Sequence, residues 1–463
     1  MSLVVKRRKS RPRTKTGCFT CRIRRIKCDE GRPSCNKCLI SGRICDAPID
    51  EDEESLQNHN WHFAFGSNFE KSAREQRCFH YFRDRTTSAL SGYNIHSRFW
   101  HNIVLQISHS SPAIFHAALA LGSLQEHLEA GLTFEPRHKS YRFLYQQINK
   151  AIRDLCSQGK SLPVQVALVC CVLFICLENA QGNYEAALNH LQSGLNMLEE
   201  WCNQSSSGMK AATDEQDILV QTFCKLDIQA TTFLDNRPPR IHVNSFNGSP
   251  FSIPPSFQTL EDARIALERM EMRALYILTS VHELYSREKL LQGLQDCFSL
   301  WEDKFESLSL LEKSSIGRNR LKLGVLLKLH QKTMSVMLKL KTDPLMKHAA
   351  HLDSSLEAEL SNINSVARLL IASSASSPSA FTAETGIVAP LYFVAMHTRS
   401  TYTRNETIEL LSACNCKEGF WDPEIVIKIA KMAASAHDEK GMYEARFPGG
   451  IPDLVKAHEI LTA

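Results

Sequence analysis

Six cysteines near the start of the chain repeat one spacing twice, and this repeat constrains the fold more than any other feature. Each half reads Cys-x2-Cys-x6-Cys, and six residues separate the two halves. The stretch is too short and too polar to fold by burying apolar side chains, so bound metal has to supply its folding energy. The predicted metal ligands are Cys18, Cys21, Cys28, Cys35, Cys38 and Cys45.

The number of thiolates predicts the number of metal ions. Zn²⁺ prefers four tetrahedral ligands, and thiolates suit it well. One ion would leave two cysteines unused, whereas two separate ions would need eight ligands, and residues 1–45 contain no histidine. Two Zn²⁺ ions that share two thiolates need six ligands. The symmetry of the halves favours Cys18 and Cys35 as the bridges, with Cys21 and Cys28 completing one ion and Cys38 and Cys45 the other.

The six residues between the second and third cysteines, RIRRIK, are mostly basic. Ile23 and Ile26 are three residues apart and can share the inner face of a short helix. The basic side chains then point outward, where arginine can pair with guanine in the major groove and the others can contact phosphates. The equivalent segment of the second half has only Arg43, so we expect the first half to read bases. The predicted DNA contacts are Arg22, Arg24, Arg25 and Lys27.

Charge is divided unevenly along the chain. Residues 1–45 carry a formal charge of +12, and because the whole chain carries +4, the remainder carries −8. A basic segment on an acidic body is typical of a protein whose basic part binds a polyanion. The upstream cluster KRRKSRPRTK fits a nuclear localisation signal or extra phosphate contacts, with simple solubility as the alternative. We predict that residues 1–16 form a disordered basic arm.

The cysteine-rich stretch resembles the fungal Zn2Cys6 binuclear-cluster transcription factors. The matching residues are GCFTCRIRRIKCDEGRPSCNKCLISGRIC, and Pro33 matches the proline in the family's central loop. The resemblance implies two zinc ions per chain, with Cys18 and Cys35 as bridges. It places base reading at Arg25, where the family usually has lysine. It also implies binding to CGG-type half-sites in double-stranded DNA, control of RNA polymerase II genes and a nuclear location.

The stretch after the last cluster cysteine, APIDEDEESLQNHN, is acidic and lacks apolar periodicity. We therefore predict a Zn2Cys6 DNA-binding domain over residues 17–46 and a flexible acidic linker over residues 47–68. Many regulators of this class continue into a coiled coil that forms the dimer, but residues 46–100 show no sustained heptad repeat. Two alternatives follow: the chain binds a single half-site, or it forms a homodimer through its helical body.

From residue 69 to 463 the chain reads as consecutive helices, and no segment shows the alternation of a strand, so the predicted fold class is all-α. Ser111 and Pro112 begin one helix that Gly131 ends. The next two are predicted over Arg137–Gln158 and from Pro163, and a fourth follows Gly182. Further helices are predicted over residues 213–235, 259–287, 318–341, 353–373, 387–399, 403–412 and 423–440.

The most apolar run, Val164 to Leu177, is too short to span a bilayer and is expected to be a buried core helix, which argues against a membrane partner. The first residues, MSLVVKRRKS, lack the apolar stretch of a secretory signal. We therefore expect a soluble, intracellular protein whose cysteines stay reduced.

Two stretches of the body resemble the fungal-specific transcription factor domain that follows zinc clusters. They are SALSGYNIHSRFWHNIVLQISHSSPAIFHAALALGSL and LENAQGNYEAALNHLQSGLNMLEE. This resemblance implies an all-helical regulatory domain that responds to a small-molecule effector or contacts a co-regulator. The predicted function is regulation of transcription, with a metabolic or secondary-metabolite pathway as the target.

Catalytic patterns are missing from the sequence: it contains no HExxH, no GxSxG, no phosphate-binding glycine loop and no dinucleotide fingerprint. The pair Cys414 and Cys416 could be redox-active, but we favour an inert role for it. We predict that the protein is not an enzyme. The alternative function is a zinc-cluster scaffold or co-regulator that acts by protein–protein contact.

Overall fold

The computed structural model describes residues 26–29, 35–40, 72–94, 97–131, 139–206, 214–234, 238–240, 253–280, 284–311, 318–342, 354–374 and 381–438. The chain divides into two compact units, Met1–Gly66 and Ser67–Ala463. The predicted basic arm and the predicted acidic linker both lie outside the described residues. The first unit contributes one described helix, α1 (Asn36–Ile40).

The second unit is built from helices, as predicted, and we call it the helical domain. Its fold confirms the all-α class. Two π-helical turns, Phe82–Thr86 and Phe99–Ile103, lead into its short helices α3 and α4. The helices are α2 (Ala73–Tyr81), α3 (Thr87–Leu90), α4 (Val104–Ser110), α5 (Pro112–Glu129), α6 (Lys139–Gln158), α7 (Val164–Gln181), α8 (Tyr184–Ser206), α9 (Asp214–Leu234), α10 (Leu260–Ser280), α11 (Leu284–Leu311), α12 (Arg318–Thr342), α13 (Ser354–Ser374), α14 (Val388–His397), α15 (Thr401–Ser412) and α16 (Pro423–Asp438).

Local sequence explains where these helices begin and end. The Ser111 hydroxyl accepts a hydrogen bond from the backbone N–H of Ile114, and Pro112 occupies the first turn of α5, as predicted. Helix α7 ends at Gly182, whose φ of +83° is a left-handed conformation that favours glycine. The N–H of Asn183 then donates to the carbonyl of Glu178, which closes the last turn of α7.

Helix α7 lies at the centre of the larger apolar cluster. It is 18 residues long, four more than the predicted apolar run, and its mean hydropathy of 1.8 gives it the length and composition to cross a bilayer. However, 61% of its residues are buried inside the domain. Burial on nearly all sides is what a central core helix shows.

Three apolar clusters form the core of the described part of the helical domain, the third being a small one of Cys224, Ile228, Met272 and Leu275. Of the other two, the larger one includes residues of α2, α5, α7 and α14, and the smaller one is formed by α10, α11 and α12. The sequence analysis missed most of α11, since it ended the helix at residue 287. The signal was nevertheless present, because buried apolar residues recur there every three or four positions. They are Leu291, Leu294, Phe298, Trp301, Phe305 and Leu308.

One short parallel pair of strands, also missed, lies in the described part of the helical domain. Phe381 of β1 (Phe381–Thr382) pairs with Lys417 of β2 (Lys417–Glu418). The Glu418 carboxylate then accepts hydrogen bonds of 2.9–3.0 Å from the backbone N–H groups of residues 386–388 at the start of α14. A carboxylate in this position also complements the positive end of the helix dipole. The strand pair thereby fixes where α14 begins.

Candidate metal centre and nucleic-acid interface

Two of the predicted ligands lie together inside the first unit. The Sγ atoms of Cys28 and Cys35 and a carboxylate oxygen of Asp29 all lie within 4.8 Å of one another. Both thiols are buried, and so is that of Cys38 on α1. The backbone N–H of Cys38 donates to the carbonyl of Cys35 over 3.0 Å, which ties these two cysteines to the same turn.

Asp29 positions the start of α1. Its carboxylate accepts a hydrogen bond of 2.8 Å from the N–H of Asn36 and one of 3.2 Å from the N–H of Lys37. The hydrogen bond from Asn36 is the main reason that the pKa of Asp29 lies below its ordinary value. Because Asp29 follows Cys28 directly and the capped helix follows Cys35 directly, this contact holds the two thiols close. The sequence analysis did not identify this role.

These residues fit a zinc ion. In a tetrahedral thiolate site with Zn–S bonds of about 2.3 Å, neighbouring sulfurs lie about 3.8 Å apart, and the spacing of the Cys28 and Cys35 thiols is compatible with that distance. The Asp29 carboxylate lies beside these thiols and offers oxygen rather than sulfur, but it is already engaged in capping α1. The other predicted ligands, Cys18, Cys21 and Cys45, lie outside the described residues.

The predicted DNA contacts are described only at Lys27, which is exposed. Arg22, Arg24 and Arg25 lie outside the described residues. One expectation about the basic segment is wrong: Ile26 was assigned to the inner face of a helix, but residues 26–29 have no regular secondary structure and Ile26 is 38% exposed. The Cys28 thiol takes the buried position instead, so the apolar side chain two residues earlier stays at the surface.

Four cysteines of the helical domain, Cys170, Cys171, Cys176 and Cys414, lie in surroundings that disfavour metal binding and nucleophilic attack. Burial raises the pKa of the Cys171 thiol to about 11 and raises the pKa values of Cys170 and Cys176 further. Burial also raises the pKa of Cys414, whose thiol donates to the carbonyl of Leu410. Thiolate is the reactive form, so these residues behave as small apolar side chains.

Two family models match the chain. The fungal Zn(2)-Cys(6) binuclear cluster domain matches residues 16–53, and the fungal specific transcription factor domain matches residues 77–298. Together they cover more than half of the chain, and the first contains all six predicted ligands. No solved protein structure matches the chain.

The names of curated relatives also describe transcription regulators. The chain is 27% identical over 285 residues to the aspercryptin biosynthesis cluster-specific transcription regulator atnN of Emericella nidulans, which covers 54% of this chain and 45% of the relative. It is 29% identical over 204 residues to the transcription regulator lscL of Purpureocillium lilacinum, covering 39% and 48%. White-opaque regulator 2 of Candida albicans is 54% identical over 44 residues, 10% of each chain. The chain thus spans about half the length of the first two relatives.

A cysteine cluster that suits zinc, followed by a large helical domain, defines a class of metal-dependent regulators. The chain belongs to the fungal zinc-cluster transcription regulators, with a Zn2Cys6 domain followed by a fungal specific transcription factor domain. Membership implies that it binds zinc and DNA. The matched families and the relatives' names all describe regulators of transcription, and none describes an enzyme.

Proposed function

We propose that this chain is a sequence-specific DNA-binding transcription factor that acts in the nucleus on genes transcribed by RNA polymerase II. The observation that carries the proposal is the alternation at residues 27 and 28. The Lys27 side chain is exposed, whereas the adjacent Cys28 thiol is buried beside Cys35. The same stretch of backbone therefore offers sulfur to a metal on one side and positive charge to phosphate on the other.

The proposed metal centre holds two zinc ions through all six cysteines. Cys18 and Cys35 each bridge both ions, Cys21 and Cys28 complete the first ion, and Cys38 and Cys45 complete the second. When bound, zinc supplies the folding energy that so small a unit lacks. The chain's own contribution is to deliver the thiols, and Asp29 serves this by fixing the turn between Cys28 and α1.

The proposed reading surface consists of Arg22, Arg24, Arg25 and Lys27. Arg25 would pair with O6 and N7 of guanine in a CGG-type half-site, because the guanidinium fork matches these two acceptors. The remaining basic side chains would contact phosphates and set the register of the unit on DNA. The basic arm over residues 1–16 would add phosphate contacts and serve nuclear import.

The helical domain is proposed to carry regulation. The name of the relative from Emericella nidulans ties that protein to a biosynthesis cluster, and we propose a metabolic or secondary-metabolite pathway as the target here. The same proposal includes homodimerisation through residues 69–463. It also includes contact with a small-molecule effector or co-regulator. The boundaries at residues 16, 46 and 68 are proposed as the domain limits.

Gel-shift titrations of the full, zinc-loaded chain test the DNA-binding function. We expect tighter binding to a duplex with a CGG half-site than to a scrambled duplex, and strong weakening with salt because several phosphates are neutralised. Arg25→Ala should lower the preference for CGG by roughly tenfold or more, since it removes a bidentate base contact. Arg43→Ala, in the second half, is the matched control and should keep the preference.

Equal affinity for both duplexes would contradict specific reading and favour the zinc-cluster scaffold that acts by protein–protein contact. Metal analysis of the same protein tests the cluster. Two zinc ions per chain are expected, and a Cys18→Ser or Cys35→Ser variant should lose both, because each thiolate serves both ions. One ion per wild-type chain would contradict the bridged arrangement.

A further inference from the structure

Two adjoining cavities lie in the helical domain, and each is lined by residues of α9, α10 and α12. Their volumes are about 90 Å³ and about 60 Å³. They share four lining residues, Ile228, Glu271, His330 and Thr385. The walls of the larger cavity come from α9, α10, α12 and α14 and are mostly apolar. Leu275, Met334, Met337 and Phe393 supply much of that apolar surface.

Glu271 is the unusual member of this apolar wall. It is only 7% exposed, and its carboxyl group makes no hydrogen bond to any residue that the structure describes. Burial, and then the nearby Glu268 carboxylate, raise the pKa of Glu271 to about 8. The carboxyl group is therefore protonated at neutral pH and has an O–H group to donate.

His330 faces Glu271 with a nitrogen that can only accept. Its Nε2 lies 2.7 Å from the carbonyl oxygen of Gly386, so Nε2 carries the hydrogen that donates to that carbonyl. Burial lowers the pKa of His330, which keeps the ring neutral and leaves Nδ1 as an acceptor. Nδ1 lies 3.8 Å from the nearest Glu271 oxygen, too far for a direct hydrogen bond.

A third polar group on the same wall also lacks a partner. The Nε1–H of Trp421 is buried and has no acceptor among the described residues. Trp301, equally buried in the smaller cluster, shows the usual arrangement, since its Nε1–H donates to the carbonyl of Ala263 over 2.8 Å. Buried polar groups are normally satisfied. Atoms without a partner among the described residues also occur elsewhere, at Thr86 and Asn179, but here several such groups line one cavity, which favours a bound molecule there.

Other polar groups at this cavity are already engaged. The Thr333 hydroxyl donates to the carbonyl of Leu329, and His397 is bonded to the carbonyl of Phe393. In the smaller cavity the Lys225 ammonium lies 2.8 Å from the Glu384 carboxylate. Glu271 and His330 line both cavities and face each other across 3.8 Å, so together they offer one donor and one acceptor to a single ligand atom.

We propose that this cavity binds a small, uncharged molecule that has an apolar ring and one hydroxyl group. A hydroxyl oxygen about 2.8 Å from both side chains donates to Nδ1 of His330 and accepts from the carboxyl O–H of Glu271. An ionised ligand is disfavoured because it would have to bury its charge against apolar walls.

The size of the cavity limits the ring to about that of a phenol. A cavity of about 150 Å³ accommodates benzene, so a six-membered ring needs part of the adjoining space or a shift of Met334 or Met337, whose unbranched side chains adapt readily. The inference rests on the proposed function in one respect, because it names the chemical class of the effector proposed for the helical domain, but it does not depend on how the zinc cluster reads DNA.

Phenol and benzene, titrated into the full zinc-loaded chain by calorimetry, test the proposal. We expect saturable binding of phenol and at least about fivefold weaker binding of benzene, which cannot form the hydrogen bonds. Phenol should also raise the melting temperature of the helical domain. If phenol fails to bind, or if benzene binds equally well, the proposal is wrong, whatever the outcome of the DNA-binding tests.

Variants at Glu271 assign the binding to this cavity. Glu271→Leu keeps the side-chain volume but removes the donor, so it should abolish the preference for phenol over benzene. Glu271→Gln keeps a donor and an acceptor and should keep that preference; it provides the test if the leucine variant does not fold. Glu288→Leu, at an exposed position on α11, is the matched control. An unchanged preference in Glu271→Leu would show that phenol binds elsewhere.

Discussion

The two units differ in what their interiors contain. In the described part of the first unit the buried side chains are Cys28, Cys35 and Cys38, while Ile26 and Ile40 are 38% and 85% exposed. The helical domain instead buries whole faces of α5, α7, α11 and α14. The described part of the first unit buries sulfur and leaves its isoleucines at the surface, whereas the helical domain buries large numbers of apolar side chains, several cysteines among them. Metal coordination holds the first together, whereas apolar burial holds the second.

The two units also differ in which substitutions they can tolerate. A metal-held unit keeps its surface available for basic side chains, because few residues are needed for a core. A unit held by apolar burial has to commit most of its helix faces to packing. Four perturbations test this contrast, and they are given from the largest expected effect to the smallest.

Removal of zinc from the full chain by a strong chelator should abolish DNA binding and leave the helical domain folded. The reason is that structural zinc contributes about 10–16 kcal/mol to small cysteine-rich units, whereas no apolar cluster of the helical domain depends on the metal. Gel shifts report the loss of DNA binding, and circular dichroism with thermal unfolding reports the helices. If the helices melted on chelation, the helical domain would also depend on zinc, and the two units would not differ in this respect.

Phe115→Ala tests whether apolar burial stabilises the helical domain. Phe115 is fully buried on α5 in the larger cluster, and removal of a buried phenylalanine typically costs about 3–5 kcal/mol. We expect a clear fall in the melting temperature of the helical domain, measured by calorimetry, with an unchanged ratio of zinc to protein. Tyr402→Ala, at a position that is 76% exposed, is the control and should melt like the wild type.

Glu271→Gln should change how the stability of the helical domain depends on pH. In the folded chain the pKa of Glu271 is raised to about 8, mainly by burial, from an ordinary value of 4.5. Between these values the folded state holds a proton that the unfolded state has lost, so the free energy of unfolding falls as pH rises. The variant has no carboxyl group at this position, so its free energy of unfolding should not fall in this way. The difference in free energy of unfolding between the variant and the wild type should therefore be more favourable to the variant at pH 8 than at pH 5, by on the order of 2 kcal/mol.

Urea unfolding at several pH values measures this difference. Glu288→Gln removes an exposed carboxyl on α11 and should leave the pH profile unchanged. A profile for Glu271→Gln that runs parallel to that of the wild type would show that the carboxyl is ionised in the folded state. The zinc content should not differ between the variants, which keeps the effect within the helical domain.

Asp29→Ala should have the smallest effect. It removes the acceptor for the N–H groups of Asn36 and Lys37 but none of the thiolates. Loss of a residue that orients metal ligands from outside the coordination shell typically lowers metal affinity by about 10–100-fold. We expect the low end, about tenfold, because Asp29 is exposed and caps a helix through backbone N–H groups. Competition with a chromophoric chelator measures the change. Asp29→Asn keeps an acceptor oxygen and should be closer to the wild type; a loss as large as that of Cys28→Ser would instead make Asp29 a ligand.

The sequence was sufficient to predict the helical fold and most helix limits. Ser111, Pro112 and Gly182 act locally, so their signals can be read without knowledge of the tertiary structure. The limits of α11 were predicted wrongly although its apolar residues recur at helical spacing, because the predicted helix over residues 259–287 ran across the boundary between α10 and α11. The β1–β2 pair could not be predicted, since each strand has two residues and pairs across 36 positions of the chain, as Phe381 does with Lys417.

The sequence predicts the kind of metal centre, but it does not predict which neighbouring residues position the metal ligands. Six cysteines at a repeated spacing predict a zinc centre from coordination number and thiolate chemistry together. Asp29 was missed because its role depends on where α1 starts, and Ile26 was misplaced because residues 26–29 are not helical. Glu271 and His330 are 59 positions apart in sequence, and only the packing of α10 against α12 brings them together.

The contact between Gly386 and Glu418 has a consequence for how this chain can evolve. A Cβ at position 386 would overlap the Glu418 carboxylate, so the two positions, 32 apart in sequence, cannot drift independently. A side chain at position 386 is therefore tolerated only after a shorter residue has replaced Glu418. In descendants of this chain we expect any replacement of Gly386 to be accompanied by a shorter residue at position 418, and a sequence that has lost Glu418 should start α14 differently.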